Sequence, residues 1–516
     1  MVPYRPEPLT DFSKEQEVAE LNNALQRVRA DFGREYPLLI GGKTVMTDRR
    51  IVSINPSDPE QIVGSIASAG TAQAEMAVQA AHNAFAAWSR VPPEARADGL
   101  FRAAAKLRRR KHEFSAWMMA EAGKVRAEAD ADTAEAIDFM EYYGRQMLKL
   151  TRRGEEELVS INGERNRMDY VPLGVGLIIS PWNFPLAILA GMTTVALVAG
   201  NTVVIKPSSF TPVIAYKFVE LLADAGIPLE AVQLVPGSGA VIGEYLAAHP
   251  LTRFVSFTGS KEVGLRLHEL TSRAAPGQRW LKRFVGELGG KDAIVVDRGA
   301  DLKEAAQGIV ASAFGFSGQK CSACSRAIVH RDVYDEVVER CVSLAENMKV
   351  GDALDFASDT GPVIDQSAFD TIMKYIQAGA SEGKPAAGGT ACDGKGWLIR
   401  PTIFTDVDPR ARVMQEEIFG PVLAFAKADD FEDALRIANF TDYGLTGAVY
   451  TANSTHIERA REAFAVGNLY INRKCTGALV GVHPFGGFNL SGTDSKAGGP
   501  DYLLLFTQPK VTSERL

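Results

Sequence analysis

From residue 175 onward the chain alternates short aliphatic runs with helix-length stretches. Runs at 175–179, 203–205, 232–235 and 254–257 are each followed by a segment long enough for a helix. This alternation predicts a parallel, doubly wound sheet in an α/β protein. A second series starts at 293–296, passes through a helix-like stretch at 302–316 into Cys321, and continues with 327–329 and a helix after Asp332. The longest apolar region, 171–199, is interrupted by Pro181, Asn183 and Pro185, so it predicts a buried strand, turn and helix instead of a membrane span. Near the C-terminus, 502–506 and 510–512 predict added strands. In a doubly wound sheet ligands bind beyond the C-terminal ends of the strands, where Asn183, Lys206, Gly237 and the pair Gly259-Ser260 fall.

A chain of 516 residues exceeds one ordinary core and implies two or three domains. Its net charge of -7 offers no general attraction for nucleic acid or anionic membrane. The exception, Arg108-Arg-Arg-Lys-His112, lies in an Ala- and Leu-rich pattern and reads as a solvated helix face or an interface rather than a nucleic-acid patch. Five cysteines, at 321, 324, 341, 392 and 475, are odd in number and scattered, which suits a reducing compartment better than a disulfide framework. The N-terminal stretch carries Glu7, Asp11, Glu15 and Glu17 with no apolar signal core, so a cytoplasmic location is expected.

The candidate chemistry gathers in three places. In Phe316-Ser-Gly-Gln-Lys-Cys321, a glycine-containing approach and an adjacent lysine suggest an accessible sulfur in positive potential, which favours the thiolate. In Val285-Gly-Glu287-Leu-Gly-Gly-Lys291, the glycine pair leaves room for a carboxylate to act as a general base. In Ser180-Pro-Trp-Asn-Phe-Pro185, two prolines pin a turn that could hold the Asn183 amide toward an oxyanion. Taken singly, each has a plainer reading: a small buried thiol, a loop charge, a turn asparagine. Cys321-Ser-Ala-Cys324 lacks a second cysteine pair and a nearby histidine, so no metal site is expected and Cys324 reads as packing. Gly237-Ser-Gly239-Ala-Val-Ile-Gly243 is one residue too long for the dinucleotide fingerprint, and Gly259 to Gly264 lacks the lysine of a phosphate loop.

These motifs, together with Lys206-Pro207, Phe257-Thr-Gly-Ser260, Glu416-Glu-Ile-Phe-Gly-Pro421 and residues 439–447, resemble the aldehyde dehydrogenase family from about residue 36 to the C-terminus. The resemblance implies a variant Rossmann cofactor domain (1–146 and 170–286), an α/β catalytic domain (287–476) and a β oligomerisation flap (147–169 and 490–516). It implies Cys321 as nucleophile, Glu287 as base and Asn183 as oxyanion donor. NAD would lie against Ser180, Pro181, Trp182, Lys206, Ser209, Gly239, Gly243, Phe257, Thr258, Gly259 and Ser260, with Glu417 and Phe419 at its nicotinamide end. Three residues after Lys206, many NAD-preferring relatives carry an acid; Ser209 here leads us to expect NADP as a second cofactor behind NAD.

The tail Asn472-Arg-Lys-Cys-Thr-Gly-Ala-Leu-Val-Gly481 and Pro484-Phe-Gly-Gly-Phe-Asn-Leu-Ser-Gly-Thr493 resembles one branch of that family, which oxidises glutamate semialdehyde to glutamate in proline catabolism. On that resemblance Ser322, Gly477 and Ala478 would hold the substrate carboxylate, Lys320 would add positive charge, Phe184 and Phe485 would pack on the chain, and Glu135 would face the amino group. A homo-oligomer built from dimers is implied as well. The near alternative is a broader aldehyde dehydrogenase. A cysteine hydrolase would need a histidine base, which none of the seven histidines supplies in a comparable motif. A cofactor binder without catalysis would leave Cys321 and Glu287 idle.

Overall fold

A computed structural model describes residues 3–153 and 158–516; residues 154–157 of the expected flap lie outside the described residues. Two seven-stranded sheets organise the chain. The first runs Arg283–Glu287, Thr252–Thr258, Val175–Ile179, Thr202–Lys206, Val232–Leu234, Leu38–Ile40, Lys43–Val45. Its first five strands are parallel and the last two are added antiparallel. Val175–Ile179 and Thr202–Lys206 are buried along their whole length, as aliphatic strands must be when helices cover both faces. The close fit continues at Gly176, where a Cβ would lie 2.1 Å from the Phe254 ring.

The second sheet runs Lys384–Ala387, Thr402–Thr405, Val422–Ala428, Cys324–His330, Asp292–Val296, Thr446–Tyr450, Asn468–Ile471. It is parallel except for its first strand. Helix starts follow local chemistry. Ser260 caps Lys261–Ser272 by accepting from the Val263 N–H, and Asp301 caps Leu302–Phe314 by accepting from Lys303 and Glu304. A distant residue caps Ala187–Val198: Asp132 Oδ1 accepts from the Ala187 N–H at 2.6 Å, while its Oδ2 accepts from Lys124 Nζ at 2.8 Å.

Glu164–Pro172 and Thr507–Arg515 form a separate antiparallel ribbon of nine residue pairs. Two sequence expectations change. Residues 502–506 are not a strand but the 3-10 turn Tyr502–Phe506, because Tyr502, Leu503 and Phe506 all point into the core, a spacing no strand allows. Arg108-Arg-Arg-Lys-His112 is not one helix face: it straddles the junction of Pro93–Arg109 and Lys111–Ala122, and Arg108, Arg110 and Lys111 pair with Glu7, Glu113 and Asp130 at 2.8, 2.7 and 2.9 Å.

Candidate active site

Cys321 follows a turn in which Phe316, Ser317 and Gly318 are all left-handed, with φ of 52°, 52° and 69°. Two consecutive non-glycine residues in that region are strained, so neighbours must hold them. Thr360 Oγ1 accepts from the Ser317 N–H at 2.9 Å, Ser317 Oγ donates to the Gly361 carbonyl at 2.6 Å, and a Cβ on Gly318 would strike the Gly420 carbonyl at 2.2 Å. Gln319 is buried. Its amide donates to the Phe316 and Pro362 carbonyls and accepts from the Ile364 N–H. Next to Cys321, Thr446 Oγ1 and Cys475 Sγ both donate to the Ser322 carbonyl at 3.4 Å. Cys324 is core, as read.

The positive potential expected at the sulfur from Lys320 is not found. Lys320 turns away to Glu128, Nζ to Oε1 2.7 Å, so its charge is spent on a carboxylate. The half-buried Cys321 thiol is pushed well above its ordinary range by burial, then by Asp292, Glu417 and Glu287. Sequence neighbours thus misled about potential; acids brought near by the fold decide it.

Asn183 is buried at the turn after Val175–Ile179, and its Nδ2 donates to the Gln319 carbonyl at 3.0 Å, tying the amide to the nucleophile turn while leaving its second N–H. Glu287 ends the edge strand of the first sheet, and Ser495 Oγ donates to its Oε1 at 2.5 Å. Burial pushes its carboxyl up to about 8. Its Oε2 is buried without a partner, as are Lys291 Nζ and Asp292 Oδ2. Ser495, Lys291 and Asp292 were missed from sequence: nothing in the pattern linked Ser495 to a residue 208 positions earlier.

The cofactor candidates cluster at the strand ends of the first sheet, except Glu417 and Phe419, which lie on the loop before Val422–Ala428 of the second. Ser180, Pro181 and Trp182 extend Val175–Ile179, and Trp182 meets the Phe419 ring edge-on at 5.6 Å. Lys206 Nζ donates to the carbonyls of Pro207 and Gly237, and burial pushes its amine down to about 8. Gly243 lies against the Lys206 stem, Gly239 opens on empty space, and Ser209 is half-buried just beyond. Phe257 and Thr258 close their strand, Gly259 donates to the Glu287 carbonyl at 3.1 Å, and Ser260 opens the next helix. Glu417 Oε1 accepts from the Gly290 N–H at 2.9 Å.

The proposed substrate residues divide. Lys124 Nζ sits 4.0 Å over the Phe184 ring and 4.7 Å from that of Phe316, joining the two turns. Glu135 shares a helix with Glu128 and Asp132, and burial followed by Asp132 pushes it up to about 8. Gly477, with φ of 76°, and Ala478 lie on a turn whose carbonyls at Thr476 and Gly477 accept from Arg473 at 3.0 and 3.2 Å. Phe485 bridges to Ala497 and precedes Gly486, where a Cβ would lie 3.0 Å from Glu287 Oε1.

Residues 44–512 match the pattern of the aldehyde dehydrogenase family. The chain belongs to that family. Among its relatives, 1-pyrroline-5-carboxylate dehydrogenase of Geobacillus kaustophilus is 61% identical over 512 residues, 99% of each chain. The enzyme of the same name from Bacillus cytotoxicus is 59% identical over 516 residues, the whole of both chains. Among solved structures, a Thermus 1-pyrroline-5-carboxylate dehydrogenase with bound NAD is 50% identical, with a TM-score of 0.98 over all of both chains. In this aldehyde dehydrogenase the amide and the carboxylate come from the ends of two strands of the first sheet, and the thiol from the turn that leads into a strand of the second. Among the described residues no helix is long and apolar enough to cross a membrane.

Proposed function

We propose that this chain oxidises glutamate semialdehyde, the open form of 1-pyrroline-5-carboxylate, to glutamate with NAD in proline catabolism. The observation that carries this reading is the end-to-end 61% identity with the Geobacillus enzyme. The residues fit a dinucleotide: Gly239 leaves open space, Lys206 has only carbonyl partners, and Ser260 starts a helix whose free N–H groups favour a diphosphate. Nicotinamide, when bound, supplies the hydride acceptor and a positive charge that favours the thiolate.

The Cys321 sulfur bonds the aldehyde carbon, and the resulting oxyanion is held by the Asn183 amide; one such donor is worth about 2.7 to 4 kcal/mol of barrier. Collapse of that thiohemiacetal with loss of hydride leaves a thioester on Cys321. Glu287, ionised, then takes a proton from the water that attacks the thioester, and the acid leaves as the thiolate returns. Ser322 and the Gly477–Ala478 turn hold the far carboxylate, with Glu135 at the amino group and Phe184 and Phe485 along the chain. The division of labour follows the strand series: cofactor at 1–146 and 170–286, chemistry at 287–476. The flap segments 147–169 and 490–516 hold all of the two-stranded ribbon but residues 170–172, and the first also takes in the end of helix Arg126–Arg153; such a ribbon is marginal by itself, which supports a homo-oligomer built from dimers through it. Scattered free cysteines support a cytoplasmic setting.

The test compares kcat/KM for glutamate semialdehyde with that for an uncharged aldehyde of similar length. A clear preference for the semialdehyde is expected, and Ser322→Ala should cut its kcat/KM roughly tenfold to a hundredfold while affecting the alkyl aldehyde much less. Comparable values for both substrates in the unmodified enzyme would leave only a broad aldehyde dehydrogenase.

A further inference from the structure

The cationic residue expected to attract the substrate carboxylate was Lys320, yet its ammonium is 2.7 Å from Glu128. Burial pushes the Glu128 carboxyl up, but Lys320 foremost, then Lys124 and Lys474, hold it below the usual range, so Glu128 is ionised and the pair is electrically closed. Arg473 is committed too. One nitrogen of its guanidinium donates to the Thr476 and Gly477 carbonyls, the other meets His483 at 3.2 Å, and the group lies 4.3 Å over the Tyr470 ring. It shapes the turn.

Lys474 differs from both. Its ammonium lies 3.7 Å from the point where a Cβ on Gly477 would stand, at the turn proposed to take the carboxylate. Among the described residues no carboxylate comes within ion-pair distance of it and no hydrogen bond holds it. Around Lys320, Lys474 and Arg473 the nearby carboxylates are already taken up: Glu128 is paired with Lys320 at 2.7 Å and Asp132 with Lys124 at 2.8 Å, while Glu135 is pushed up to about 8. Lys474 and Arg473 are left as cations without a carboxylate of their own, and of the two only Lys474 is free of hydrogen bonds.

We propose that Lys474 is the specificity residue that supplies the uncompensated positive charge for the substrate's α-carboxylate, with Lys320 neutralised by Glu128. This rests on the function proposed above and refines it. Lys474 is exposed beside the Gly477 turn, so its attraction acts on encounter and binding and is weakened by salt.

The test measures kcat and KM for glutamate semialdehyde and for an uncharged aldehyde of similar length, in the full-length enzyme and in Lys474→Met and Lys474→Arg. For Lys474→Met the expected result is a roughly three- to fivefold fall in kcat/KM for the semialdehyde, carried by KM. The selectivity ratio should fall with it. The loss should shrink at about 1 M salt, where the screening length is about 3 Å, and Lys474→Arg should restore most of it. An unchanged selectivity ratio in Lys474→Met, or a loss of the same size at low and high salt, overturns the assignment. A thermal melt separates these outcomes from misfolding. Absence of any semialdehyde preference in the unmodified enzyme would instead defeat the function reading, so the two failures are distinguishable.

Discussion

The two seven-stranded sheets share parallel topology but end in opposite kinds of surface. The first ends in small or already satisfied groups: Gly239 on open space, Gly259 bonded to the Glu287 carbonyl, Lys206 resting on backbone carbonyls. The second carries the Cys321 sulfur just after a turn of three left-handed residues, clamped by Thr360, Gly361, Pro362 and Ile364. A cofactor needs room and donors, which backbone supplies cheaply. A nucleophile needs one atom in one place, and strain there is tolerated only where neighbours over-determine it.

If the halves are separable in this way, removing the sulfur should silence one and spare the other. Cys321→Ala should lower turnover more than about a thousandfold while NAD still binds with nearly unchanged affinity by calorimetry. Substantial turnover would remove Cys321 from the chemistry, and lost NAD binding would show that the halves are not independent.

Glu287 stands at the seam, on the first sheet but serving the second. Glu287→Gln should lower steady-state turnover by about 10² to 10⁴ and leave a burst of reduced cofactor as thioester accumulates. With its pKa raised to about 8, Glu287 is mostly protonated at pH 7 and cannot accept a proton, so hydrolysis in the unmodified enzyme should accelerate as pH rises from 7 toward 9. The glutamine variant should lose that rise. Wild-type turnover in Glu287→Gln would exclude an essential base.

The smallest effect belongs to the first sheet alone. With Ser209 in place, both NAD and NADP should support turnover, NAD the better. Ser209→Glu should lower kcat/KM for NADP relative to NAD by roughly tenfold or more, because a carboxylate there repels the 2′-phosphate. Equal losses for both cofactors would place Ser209 away from the ribose.

The alternation of aliphatic runs and helices made the doubly wound sheets legible, since strands buried on both faces have few other compositions. What stayed hidden was long-range. Lys320 looked like an electrostatic neighbour of Cys321 because it is adjacent in sequence, whereas its partner, Glu128, is 192 residues away. Residues 502–506 read as a strand because five mostly aliphatic positions satisfy a strand or a 3-10 turn equally until the core chooses among their faces. The raised pKa of Cys321 could not be seen at all, since Asp292, Glu417 and Glu287 are gathered by folding.

The bond from Ser495 to Glu287, with Thr493 Oγ1 accepting from the Gly286 N–H, spans 208 and 207 residues. During synthesis the first sheet is therefore complete long before its terminal carboxylate has surroundings. Docking of the 491–495 segment brings Ser495 onto Glu287 and helps enclose the carboxyl whose burial raises it to about 8. A chain cut before residue 491 should therefore keep the strands of the first sheet yet leave Glu287 without that partner, titrating closer to an ordinary acid.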